Sequence, residues 1–289
     1  MTDLPGGFGA HVANIGIKDD TPDFVVVASD RPGPAVGLFT RSRFAGPSVV
    51  LSRAHLADGH AQAIVVVSKN SNVATGPQGD DDAVELAQLV AERIGCDVTD
   101  VVVTSTGVIG RTYPMDRVRA GAAAVPDRPS AVAAEPAAAG MMTTDTHPKV
   151  AAASVGGSGA RVVGLAKGVG MIEPDMATHI SLVFTDAQVG QADLDAVFRR
   201  VVDRTFNSVS IDTDTSTSDS SVIMASGHAG PVDLSELEDA LDEVCLDLTK
   251  QIARDGEGAN SLLEVRVDGA RDAAQAKRVA KAVVNSPLV

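Results

Sequence analysis

Ala177-Thr178 is a pair of residues that could make its own nucleophile. A threonine hydroxyl is weak at its free pKa. One solution is to place the threonine at an N-terminus, where its own α-amine serves as the base. That amine titrates near ~7.7–8.0, so a useful fraction is neutral at neutral pH. Exposing it means cutting the Ala177–Thr178 peptide bond. Thr178 Oγ attacks the Ala177 carbonyl, an ester forms, and water releases it. The surrounding stretch, Lys167-Gly168-Val169-Gly170-Met171-Ile172-Glu173-Pro174-Asp175-Met176-Ala177-Thr178-His179, suits this chemistry. Two glycines and a Pro-containing turn precede a small residue standing directly before the threonine. Taken alone, Thr178 reads more readily as the first residue of a strand than as a nucleophile.

An acyl intermediate needs donors for its oxyanion. Thr106-Gly107 follows the apolar run Val101-Val102-Val103 and offers one hydroxyl and one backbone N–H. An ordinary tight turn is the competing reading. Charged groups could hold an amino-acid substrate: Lys167 its carboxylate, Glu257 its amine, with a hydroxyl contact from Thr143. Each has a plain structural alternative, as a surface lysine, a solvated glutamate beside a helix stop, and a capping threonine. His147 and His179 are candidate bases or structural histidines.

Other motifs fail on spacing. Lys167-Gly168-Val169-Gly170 carries its lysine before the glycines, unlike a P-loop, and Glu173 stands where a dinucleotide fingerprint needs its third glycine. Gly156-Gly157-Ser158-Gly159-Ala160 misses the last glycine of a nucleophile elbow. Asp212, Asp214 and Ser216 imitate the start of a calcium loop, but Thr217 and Ile223 replace its glycine and glutamate, so no metal is expected.

The elements that must position these residues follow from periodicity. Apolar runs predict strands over 23–29, 35–40, 48–51, 63–68, 100–105, 180–184, 222–225 and 262–267, with a turn at 30–34 returning the second strand along the first. Residues 150–155 and 161–166 predict a hairpin. Stripes at helical spacing predict helices over 80–94, 192–205, 234–254 and 273–283, and a short helix within 126–140. Lys69 to Gly76, small and polar after a buried strand, is a loop of the kind that lines sites. Strands and helices mix without strict alternation, which indicates a layered α+β fold.

Composition narrows the function. A chain of 289 residues can bury a full core. A net charge of -14 argues against nucleic acid or an anionic membrane as partner. Two cysteines, Cys96 and Cys245, make a disulfide framework improbable and fit a reducing, cytoplasmic setting. The N-terminus lacks the basic and apolar regions of a signal peptide. No apolar run is long enough to span a bilayer.

These pieces, in this order, resemble the ornithine acetyltransferase family, also called the bifunctional glutamate N-acetyltransferase family. The resemblance rests on the 167–178 stretch, on Met142-Thr143-Thr144-Asp145-Thr146, Ser105-Thr106-Gly107-Val108-Ile109-Gly110, Asp212-Thr213-Asp214-Thr215-Ser216-Thr217, Asp255-Gly256-Glu257-Gly258-Ala259 and Thr40-Arg41-Ser42-Arg43-Phe44-Ala45-Gly46-Pro47. It implies stacked β-sheets between helical layers, like the aminopeptidase relatives that also self-cleave. It implies cleavage into an α chain, 1–177, and a β chain, 178–289, with two of each in the assembly. It implies a ping-pong exchange in arginine biosynthesis or a related specialised pathway, in which N-acetylornithine acetylates Thr178 and glutamate takes the acetyl group. By resemblance Thr178 is the nucleophile, Thr106 and Gly107 form the oxyanion hole, and Thr143, Lys167, Thr178 and Glu257 contact substrate.

Asp175 and His179 depart from the neutral and apolar residues of arginine-pathway members and bring Glu173-Pro174-Asp175 closer to a branch found with secondary-metabolite genes. No cofactor is expected, and acetyl-CoA as a donor stays open. Family members continue beyond the equivalent of Val289, and that tail supplies an asparagine and a hydroxyl residue to the site. The chain is therefore expected to be C-terminally truncated. An inactive homologue serving as an assembly subunit, or a self-cleaving amidase that releases the acyl group to water, are the alternatives.

Overall fold

The computed structural model describes residues 2–130, 133–172 and 179–286. The expected cleavage bond, Ala177–Thr178, lies outside the described residues. In chain order the elements begin with β1 (Phe8–Ala13), β2 (Phe24–Phe39), α1 (Pro47–His55), β3 (His60–Val67), α2 (Pro77–Ile94), β4 (Val101–Ser105), α3 (Met115–Ala123) and α4 (Ala134–Met141). They continue with β5 (Lys149–Ser154), β6 (Arg161–Lys167), β7 (Ile180–Gln188), α5 (Gln191–Arg204), β8 (Ser220–Pro231), α6 (Leu234–Arg254) and α7 (Ala273–Val284).

The strands pair in the order β4-β3-β2-β8-β7-β6-β5, with β1 also on β2. Alternation along each strand sends successive residues to opposite faces, and here both faces are buried. On β1–β4, Val25, Val27, Ile64, Val66 and Val102 point inward. They share one apolar core with Val163, Leu165, Leu182, Phe184, Val222 and Met224 of β6, β7 and β8. The intervening residues face outward. Phe24, Val26, Val65, Val67, Val101 and Val103 pack under Leu86 and Val90 of α2 and Val118 of α3. Val162, Val183 and Ile223 pack under Leu194 and Phe198 of α5 and Leu237, Leu241 and Leu248 of α6. The result is helix, sheet, sheet, helix: the stacked α+β architecture expected from the sequence.

Strand β2 joins the two sheets and corrects one expectation. Residues 30–34 do not turn the chain back. Phe24 to Ala28 pair with β3, and Ala35 to Phe39 continue onto β8, with an irregularity between Ala28 and Gly33. A Cβ on Gly33 would lie 2.2 Å from the Ala225 carbonyl oxygen, so the glycine permits this passage rather than a hairpin.

Residues 48–51, expected as a strand, lie in α1. Pro47 opens that helix, and Ser48, Val49 and Ser52 form its buried face. Ser52 Oγ accepts from the Val103 N–H and donates to the Val103 carbonyl, 2.8 Å each. Tertiary packing on β4 thus overrides the strand preference of Val49-Val50-Leu51. Residues 262–267 form no strand, since their backbone finds no sheet partner among the described residues. Helix α3 was not anticipated. The 5–6 hairpin and the four longer helices fall where periodicity placed them. In α6, the Asp233 carboxylate caps the N-terminus by accepting from the Ser235 and Glu236 N–H groups.

Candidate active site

All five candidate residues that are described converge. Thr106 and Gly107 leave the end of β4, Lys167 ends β6, Thr143 follows α4, and Glu257 follows α6. Together they line one cavity of about 500 Å³, a volume suited to a small molecule. Lys69 and Ser71, from the loop singled out in the sequence, line it too.

The Thr106–Gly107 turn has a local physical basis. Gly107 has φ 130°. A Cβ there would stand 2.2 Å from the Lys69 carbonyl carbon and 2.5 Å from its Cα, so only glycine fits. Its neighbours' N–H groups are used, Thr106 to the Val67 carbonyl at 3.0 Å and Val108 to the Lys69 carbonyl at 3.3 Å. The Gly107 N–H donates to no described residue. Thr106 Oγ1 accepts from Lys167 Nζ at 3.3 Å. Hydroxyl, an N–H with no described acceptor, and ammonium therefore stand on one wall, a polar set able to stabilise a developing oxyanion.

Lys167 is 6% exposed. Burial pulls its pKa below the ordinary lysine value; Asp145 and Asp219 oppose this, and Lys149 adds to it. Burial also pushes the Asp219 carboxyl well above the ordinary range, and Lys167 and nearby donors offset only part of that. Glu257 is exposed to the cavity; its N–H donates to the Val169 carbonyl at 2.6 Å, and its carboxylate lies beside Gly170.

Sequence reasoning missed the network beneath these residues. Lys149 is fully buried, with Nζ 2.8 Å from Asp145 Oδ1 and 2.6 Å from Asp255 Oδ2. Asp145 also accepts from the Gly168 N–H at 2.6 Å and the Thr143 N–H at 3.1 Å. Asp255 accepts from the Thr146 N–H at 3.1 Å. One buried cation thus ties together the backbones that carry Thr143, Lys167 and Glu257. Burial pushes the Asp145 and Asp255 carboxyls up, and the surrounding cations and donors outweigh it and hold both below their ordinary values. A lysine at the head of the small-residue strand Val150-Ala151-Ala152-Ala153 was the only signal in the sequence.

The calcium-like stretch has another task. The Asp212 carboxylate accepts from the Met171 N–H, and from the Ile172 N–H at 2.7 Å. Met171 has φ 58° and Thr213 has φ 63°, left-handed values that non-glycine residues adopt at a cost. Asp212 therefore anchors the chain just ahead of Glu173.

Neither histidine sits as a base. His147 is exposed and bonds Thr146 Oγ1 at 3.0 Å. His179 is buried against Phe206, ring centroids 4.5 Å apart, and neither ring nitrogen has a hydrogen-bond partner among the described residues. Burial, with Lys167 nearby, pushes its pKa down to about 3. Above the unfolded value of roughly 6.5 the ring is neutral in both states; below it, only the unfolded chain takes up the proton. Stability from this residue is therefore full above roughly 6.5 and falls as pH drops toward about 3. We expect about 2 kcal/mol less stability at pH 5 than at 7.5 from this group alone. Urea titrations at both pH values should show that loss shrinking in His179→Leu; equal losses in both chains would contradict it.

Comparison with known proteins agrees with this architecture. The ArgJ family matches residues 9–289. The chain is 54% identical to the arginine biosynthesis bifunctional protein ArgJ 2 of Nostoc sp., over 99% of this chain and 73% of that protein. It is 54% identical to the glutamate N-acetyltransferase Oat2 of Streptomyces clavuligerus, over 99% of this chain and 72% of that protein. Among solved structures, the ornithine acetyltransferase of Mycobacterium tuberculosis complexed with ornithine is 33% identical with TM-score 0.56, covering 59% of this chain and 93% of that one. A Burkholderia β-aminopeptidase, 14% identical with TM-score 0.50, shares the fold over 89% of each chain. With the family match running from the first strand to the last residue, and with relatives above half identity, the chain belongs to the ArgJ family.

Proposed function

We propose that the protein is a self-cleaving acetyltransferase that moves an acetyl group from N2-acetyl-L-ornithine to L-glutamate, in arginine biosynthesis or a related specialised pathway. The observation that carries this reading is the convergence of Thr106, Gly107, Thr143, Lys167 and Glu257 on one cavity. The relatives' names, a bifunctional arginine-biosynthesis protein and a glutamate N-acetyltransferase, supply the reaction class. The ornithine bound to the Mycobacterium tuberculosis enzyme supplies the substrate class.

In this reading Thr178 Oγ first attacks the Ala177 carbonyl. The peptide nitrogen leaves as the new α-amine, taking the hydroxyl proton, and water hydrolyses the ester. An α chain, 1–177, and a β chain, 178–289, result, and two of each assemble. The freed amine then takes the Thr178 hydroxyl proton as Oγ attacks the acetyl carbonyl of N-acetylornithine. The oxyanion is held by the Gly107 N–H and Thr106 Oγ1, and ornithine leaves with the proton. The α-amine of glutamate attacks the ester and restores the hydroxyl. Lys167 pairs with the α-carboxylate and Glu257 with the ornithine ammonium, and Thr143 adds a hydroxyl contact. The exchange needs no cofactor, because the acyl group only changes its amine. No described helix is long and apolar enough to cross a membrane; we place the reaction in the cytoplasm.

Mass spectrometry of the purified protein incubated with N-acetylornithine tests this directly. We expect a chain starting at Thr178 that gains one acetyl group, lost again on adding glutamate with N-acetylglutamate released. An adduct lost equally fast without glutamate would mean hydrolysis instead of transfer. An intact chain with no adduct would sink the reading.

A further inference from the structure

We propose that Lys18 selects the acceptor by pairing with a carboxylate on the side chain of the incoming amino acid. This rests on the acetyl-transfer reading for the identity of the two substrates. Among the described residues, three cations, Lys18, Lys69 and Lys167, and two anions, Asp214 and Glu257, line the cavity. Two of the cations are engaged. Lys69 Nζ lies 2.5 Å from Asp19 Oδ1 and donates to the Thr21 carbonyl at 2.9 Å. Lys167 is buried within the fields of Asp145 and Asp219 and donates to Thr106. Lys18 makes no ion pair or side-chain hydrogen bond among the described residues, and it is exposed.

Its backbone is nonetheless held. The Asp23 carboxylate accepts from the Ile15 and Ile17 N–H groups, each at 2.7 Å. Asn14 Nδ2 donates to the Asp19 carbonyl at 2.6 Å, and Asp19 itself is fastened to Lys69. An ammonium with no partner among the described residues is thus presented on a preorganised loop, which lowers the ordering cost of using it.

The substrates supply the need. Donor and acceptor share an α-carboxylate, but the ornithine side chain ends in an ammonium and the glutamate side chain in a carboxylate. Glu257 attracts the first and repels the second. One side-chain subsite therefore cannot serve both halves of the exchange. Glu257 stands on the wall of Val169 and Gly170, whereas the Lys18 loop is fastened to the wall of Lys69 and Gly107. The acceptor side chain turns to the second wall, where Lys18 stands without a described partner.

Glutamate and glutamine differ only in that side-chain charge. Their KM values as acceptors, and their binding by titration calorimetry, should be measured on wild type, Lys18→Met and Lys18→Arg. In Lys18→Met we expect KM and Kd for glutamate to rise about five-fold, with those for glutamine, and the release of ornithine from N-acetylornithine, unchanged. Lys18→Arg should restore glutamate, and the difference should shrink in high salt. An unchanged glutamate-to-glutamine ratio overturns the proposal. If wild type releases no ornithine, the acetyl-transfer reading fails, and the binding ratio still decides Lys18.

Discussion

A Thr178→Ala chain should stay a single polypeptide on a denaturing gel and transfer no acetyl group, while wild type resolves into chains meeting at 177/178. The expected loss is at least about 10⁴-fold, because one hydroxyl serves twice. In the proposed mechanism it cuts the chain and then carries the acetyl group. Alanine removes the oxygen that both steps need. The cavity, built from Thr106, Gly107, Lys167 and Glu257, stays as it is. Any rate left over comes from binding and from the oxyanion donors alone. Thr178→Ser keeps the oxygen and should still cleave, more slowly. Cleavage at the same bond in the alanine chain would show that another group attacks Ala177.

Lys149→Met is expected to cost about 3–5 kcal/mol of stability, which lowers Tm by roughly 5–8 °C for a chain of this size. Methionine fills the volume but leaves the Asp145 and Asp255 carboxylates facing each other in a buried site without their shared cation. Their remaining donors, the N–H groups of Gly168, Thr143 and Thr146 and the Thr146 hydroxyl, carry no full positive charge, and the Lys167 ammonium supports Asp145 without bridging the pair. Function should suffer as well, since those backbones carry three residues of the proposed substrate site. In wild type both carboxyls are held below their ordinary values, so their contribution is present above the unfolded carboxylate pKa and is lost as pH falls through the folded one. Lys149→Met should lose that protection and gain stability, relative to wild type, as pH falls through the carboxylate range. A calorimetric Tm within about 2 °C of wild type at neutral pH would show that the three charges do little together.

Local pattern made much of this molecule readable. The stripes of α2, α5, α6 and α7 and the runs of β3, β4, β6 and β7 are strong because each element buries a face, and burial imposes its period on the sequence. The candidate residues at 106, 107, 143, 167 and 257 were readable because each stands beside a strand or helix end with an unusual glycine, hydroxyl or charge. Where local pattern misled, a distant partner had decided. Val49-Val50-Leu51 became helical because Ser48 and Ser52 bond across to β4. Residues 30–34 stayed extended because β8 accepts the far half of β2. Residues 262–267 remained unpaired because a strand exists only where another offers its backbone.

The sequence by itself determined the chemistry available: a threonine after a small residue, an oxyanion pair after a valine strand, and charges fit for an amino acid. Those are properties of residue types and near neighbours. Only the tertiary structure decided that these residues, drawn from β4, β6 and the ends of α4 and α6, face one cavity. Only it decided that Lys149, unremarkable in the chain, joins Asp145 to Asp255 beneath them, and that Lys18 reaches the cavity with no ion pair among the described residues. Charge pairing is set by distances between residues far apart in sequence, and no periodicity along the chain records those distances.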